Sequence, residues 1–143
     1  MKVATSYFYQ IRNFKRNMIP LSTAVWDPKW FHKNKGQNYI YLDKRGIING
    51  LRLNAFIFNE YNGQEDFFPA YQRFLDAIDL KPIIVKMEQL EKIIQLKLKI
   101  KEELIFVLIV YETPSNPDSE RPYLIKKFNS NGIKCNELNY PIV

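Results

Sequence analysis

LIFVLIVY, residues 104–111, decides the fold. Eight apolar residues in a row, many of them β-branched, run into Glu112 and the turn-rich TPSNPDSERP, which reads as a strand buried on both faces. The run is too short for a membrane helix, which needs about 18 apolar residues. A strand without a polar face needs cover above and below, so the rest of the chain is expected to form layers around it. Glu112, Asp118, Ser119, Glu120 and Arg121 follow the strand and mark a polar working edge.

The elements on either side fit that frame. KVATS (residues 2–6) and MIPLS (residues 18–22) are short β-prone runs. Phe67, Tyr71, Phe74, Leu75 and Ile78 share one face of a helix capped at Asp66 and ended by Lys81-Pro82. Met87, Leu90, Ile94 and Leu98 form the stripe of a second helix, from Val85 to about Lys101. Pro122 starts a third, closed by Asn131-Gly132, and residues 133–138 are a last short strand. NYIYLDKRGIING, residues 38–50, reads as a β-hairpin turning at Asp-Lys-Arg-Gly, an insertion spanning about residues 38–52. Short strands joined by helices predict one α/β domain over residues 1–143, with a small, largely parallel sheet in Rossmann-like layers.

Composition narrows the function classes. Of the 143 residues, 46% are apolar and 25% charged, the balance of an ordinary globular chain. The N-terminal stretch lacks the apolar run of a signal peptide, so a cytoplasmic location without membrane contact is expected. A single cysteine, Cys135, can form no internal disulfide and supplies no cysteine-rich metal site. The only histidine, His32, sits beside KNKG and reads as an exposed loop residue, so histidine-based catalysis starts weak. No metal ligand set or cofactor motif is present in the sequence.

Charge is one-sided. Residues 1–60 carry ten Lys/Arg against three Asp/Glu, a balance of +7, and residues 61–143 carry eleven against twelve, −1. A basic half attracts anions, whether a small phosphate-bearing molecule or nucleic acid. For nucleic acid, Lys44, Arg45 and Arg52 are the candidate phosphate contacts, with Lys33 and Lys35 beside them. Lysines on an exposed hairpin also serve simply to prevent edge pairing.

In parallel sheets ligands sit at the carboxyl ends of the strands. There the three strands deliver Tyr7 with Arg12, Ser22 with Thr23, and Glu112, and the third helix brings its N-terminus and Arg121. A nucleotide-like ligand would meet Arg12 and Arg121 through its phosphate and Tyr7 and Trp30 through its base, with Ser22 on the rim. The enzymatic alternative makes Glu112 the acid, base or nucleophile of a hydrolase or transferase. An arginine near each of Glu112 and Glu120 is expected to keep both ionised, which favours ligand binding over turnover. Blocking a partner protein through the basic half is a further alternative.

The TSYF start with Ile11-Arg12, the IPLS around Pro20 and Ser22, the DPKW around Pro28 and Trp30, and the VYE before Ser119 resemble the uncharacterised bacterial and phage proteins grouped as domain of unknown function 488. The resemblance covers both ends of the chain and skips the hairpin. It implies an α/β fold with its site at the exit of the late strand. Tyr111, Glu112 and Arg121 match the family pattern, whereas Val110, Ser119, Glu120 and Pro122 stand where it has cysteine and histidines. Thiol and imidazole chemistry is therefore not expected at those positions.

Overall fold

A computed structural model of the chain describes residues 1–24, 27–33, 39–42, 67–116 and 119–138. Its elements run β1 (Lys2–Tyr7), a 3-10 helix (Phe8–Asn13), β2 (Met18–Ser22), α1 (Lys29–Lys33), α2 (Phe67–Ala77), α3 (Lys81–Leu98), β3 (Ile105–Val110), α4 (Arg121–Ser130) and β4 (Cys135–Glu137). The four strands form one parallel sheet in the order β2-β3-β1-β4.

β3 is central, as its composition demands. Phe106, Leu108 and Val110 face one layer, and Val107 and Ile109 face the other. All five are essentially inaccessible. The first layer packs the sheet against α2, α3 and α4 through Tyr71, Leu75, Met87, Ile94, Leu124 and Phe128. The second packs it against the 3-10 helix and α1 through Phe8, Ile11, Phe14 and Phe31.

The connections use both sides of the sheet. From β1 to β2 the chain passes β3 on the face of the 3-10 helix, and from β3 to β4 it passes β1 in the opposite direction on the face of α4. Reversing both the direction and the face preserves the hand, as parallel crossovers require.

Several boundaries differ from expectation. Lys81-Pro82 opens α3 instead of closing the preceding helix, which already ends at Ala77. Proline lacks only an N–H that the first turn leaves unpaired, so it suits that position. α3 ends at Leu98, where Lys99 takes the left-handed conformation (φ 54°, ψ 42°) and Ile100 N–H reaches back to Gln95 O. His32 belongs to the short helix α1 and not to a loop. Gly132 closes α4 with φ 80°, as expected of a glycine at that position.

The hairpin expected over residues 38–52 is not a strand where it is described. Tyr39 and Tyr41 pack with the second layer and Ile40 and Leu42 with the first, so this segment runs along the border between the layers. Its remainder, with Lys44, Arg45 and Arg52, lies outside the described residues, as do Lys35 and Asp66. Among the described residues no helix is long and apolar enough to cross a membrane.

Because Leu108 has no exposed face, Leu108→Ala should lower unfolding stability by about 3 kcal/mol in urea titration. Leu96→Ala, at a position 81% exposed, should stay within about 0.5 kcal/mol of wild type. Similar losses at the two positions would contradict the central placement of β3.

Candidate functional site

β1 and β3 are neighbours whose following connections leave on opposite faces. Such a divergence opens a crevice at the carboxyl ends of two parallel strands. Tyr7 pairs with Val110 and Ser22 with Ile109, so Tyr7, Ser22 and the Tyr111-Glu112 exit share this edge.

One wall comes from the 3-10 helix, whose three residues per turn bring side chains three apart into line. FYQIRN followed by Phe14 uses that period throughout. Phe8, Ile11 and Phe14 are buried. Gln10 Nε2 donates to the Tyr7 hydroxyl at 2.7 Å, and Asn13 Nδ2 to Gln10 Oε1 at 2.6 Å. On the third row the Arg12 guanidinium lies 3.5 Å from the centre of the Tyr9 ring, and its Nε donates to Tyr9 O at 3.2 Å. The terminal nitrogens of Arg12 have no carboxylate partner among the described residues. Phe8 continues the wall, edge-on to Trp30 (6.1 Å between centroids) and tilted against Tyr111 (4.7 Å). Phe8, Tyr9, Arg12 and Trp30 line an open cavity of about 280 Å³. Tyr9 is 65% and Trp30 44% exposed, a large aromatic surface left to solvent beside one arginine.

The other wall is polar and closed. Arg121, at the start of α4, is 6% exposed; its Nη2 donates to Glu112 O at 2.7 Å and its Nε is in ion-pair contact with Glu137 Oε2. Thr5 Oγ1 donates to the same carboxylate. Burial pushes the Glu137 carboxyl up, against the pull of Thr5 and Arg121. Glu120, 8% exposed, is pushed up to about 7, chiefly by burial and further by the charge and hydrogen bond of Glu112. Glu112 Oε2 is itself buried without a hydrogen-bond partner. Ser119 Oγ accepts the Arg121 N–H at 3.2 Å, one of the amides that the first helical turn leaves unpaired.

The predicted site residues therefore separate into two groups. Arg12 and Trp30 share the aromatic cavity. Arg121 and Glu112 belong to the closed wall, and the Arg121 guanidinium is engaged inside the protein. Tyr7 is half-buried with its hydroxyl bonded to Gln10. Ser22 is buried and donates to Asp27 Oδ1. The expected ionisation of Glu120 by its neighbour Arg121 is reversed, because burial and then Glu112 raise it by more than Arg121, paired with Glu137, lowers it. Glu137 and Thr5 entered the site only through β4 pairing, although the period-three pattern of residues 8–14 is visible in the sequence. Cys135 is buried and its thiol is pushed up to about 12, mainly by burial, so it is inert as a nucleophile. Among the described residues no cluster of three or more His, Cys, Asp or Glu is placed to hold a metal ion.

Glu120 makes stability depend on pH. Its folded value lies above its unfolded value of 4.5, so the folded chain holds the proton more tightly. The resulting stabilisation is complete below about 4.5 and is lost as pH rises through about 7, on the order of 3 kcal/mol in all. Urea unfolding should show wild type weakening between pH 5 and pH 8. Glu120→Gln, which keeps the neutral form, should lose most of that slope and be the more stable protein at pH 8. Equal slopes in the two proteins would refute a protonated Glu120.

Compared with protein-family models, curated protein sequences and solved structures, the chain matches none.

Proposed function

We propose that this chain binds a small phosphate-bearing ligand with an aromatic body, nucleotide-like in chemistry, in the crevice between the carboxyl ends of β1 and β3. The observation that carries this reading is the cavity of Phe8, Tyr9, Arg12 and Trp30 on the connection that leaves the carboxyl end of β1. Ligands of parallel α/β sheets occupy that position. Aromatic faces stack on a base, and a guanidinium fork grips a phosphate through paired N–H groups. The Tyr9 ring and carbonyl already hold Arg12, so little side-chain freedom is lost when a ligand arrives. In this reading Arg12 alone meets the phosphate, and Arg121 keeps the crevice in shape.

The second reading is acid–base chemistry by the Glu112–Glu120 pair. It rests on a carboxyl pushed to about 7 beside a carboxylate with one unpartnered oxygen, a pairing that can give up and recover a proton near neutral pH.

A thermal-shift screen against nucleotides and sugar phosphates tests the first reading, since a ligand at a hundred times its dissociation constant adds about 2.7 kcal/mol. Arg12→Ala and Trp30→Ala should each weaken a hit about tenfold or more, as expected for a charged hydrogen bond and for a stacked base. Retention of full affinity in both variants would remove the crevice as the binding site. Chemical conversion of the hit by wild type but not by Glu112→Gln would establish the second reading.

A further inference from the structure

The amino edge of the sheet carries a second concavity, unrelated to the crevice. Lys15, Arg16 and Asn17, just before β2, face Lys99, Ile100, Lys101 and Glu102, just before β3, across an open cavity of about 570 Å³. Four cations and one carboxylate line it. Lys15, Lys99 and Lys101 have no acidic partner among the described residues. The nearby Glu103 is turned to the Met1 ammonium (3.2 Å) and Lys2 (3.9 Å).

Both walls are fixed by hydrogen bonds. Met18 N–H closes a turn onto Lys15 O, and Ile105 N–H bonds Asn17 O. Asn17 Nδ2 donates to Glu103 O at 3.0 Å, and Gln95 Nε2 to Glu102 O at 2.9 Å. Arg16 Nη2 donates to Leu98 O and so answers the negative end of α3. That single contact meets the helix's need for a cation. The three lysines exceed it.

Lys99 adds an independent sign. It is the only non-glycine residue with positive φ among the described residues, in the helix-closing position that glycine fills without steric cost. A lysine there strains the backbone, and strain of this kind points to a use for the side chain.

We propose that this cavity binds a compact polyanion carrying two or more phosphate groups. Its volume is that of a small-molecule site, and no aromatic side chain lines it to stack on a base or ring. Cations on two facing walls suit several linked phosphates better than one.

Inorganic tripolyphosphate is the probe, titrated calorimetrically into the full chain at low salt. One saturable site is expected, weakening steeply as salt screens the charges. Lys99→Gly should lower affinity about tenfold, one charge-assisted contact being worth about that much. The same substitution should raise the melting temperature by about 3 °C, since it relieves the backbone. Lys15→Ala, on the opposite wall, should lower affinity similarly, and Arg12→Ala should leave it unchanged. Absence of binding, wild-type affinity in both lysine variants, or loss of binding in Arg12→Ala would overturn the proposal. So would a single-stranded oligonucleotide that binds more tightly than tripolyphosphate through the same lysines, since the cavity would then be part of a nucleic-acid track.

Discussion

The structure depends on a strand with no polar side. β3 can be satisfied only by neighbours on both edges and cover on both faces, and the chain supplies β1 and β2 for the edges and two helical layers for the faces. Parallel neighbours cannot be joined by tight turns, so each connection must cross over the sheet. The fixed hand of such crossovers sends the connection after β1 to one face and the connection after β3 to the other. The crevice is thus a geometric result of burying β3, before any side chain is chosen to line it.

The two walls of that crevice meet different physical demands. On the 3-10 side the period of three sorts residues into a buried row, a hydrogen-bonded row and an exposed row, and the exposed row carries Tyr9 and Arg12. On the α4 side, charges have been taken inside. Arg121 ties the start of α4 to the exit of β3 through Glu112 O and to β4 through Glu137. Such a buried pair adds little net stability, because desolvation offsets attraction, yet removing one partner strands the other and is costly. Its evident effect is positional, holding three elements at one corner. Glu120 stands outside that pairing, and burial together with Glu112 outweighs the pull of Arg121, which is why it holds its proton to near neutrality.

The opposite end of the sheet has another character. The aromatic cavity is lined by one cation among three rings, whereas at the amino edge four cations converge and no ring lines the cavity. Both ends favour anions, but the first suits a ligand with a ring and the second a ligand that is mostly charge.

Local sequence suffices to locate the central strand, the position of β2, the three longer helices to within a few residues and the edge at which Tyr7, Ser22 and Glu112 meet. These follow from hydrophobic run length, periodicity and the end signals of proline and glycine, all local properties. It also placed Arg12 and Trp30 among the candidates. Tertiary structure alone decided which arginine stays available, because Arg121 is engaged only once β4 pairs beside β1 and brings Glu137 within reach. It alone decided that burial and Glu112 outweigh Arg121 at Glu120, and that Lys15 and Lys99, 84 positions apart in sequence, face one cavity. The physical reason is common to these cases. Ionisation and charge pairing are set by burial and by neighbours from distant parts of the chain, and local sequence carries no record of either.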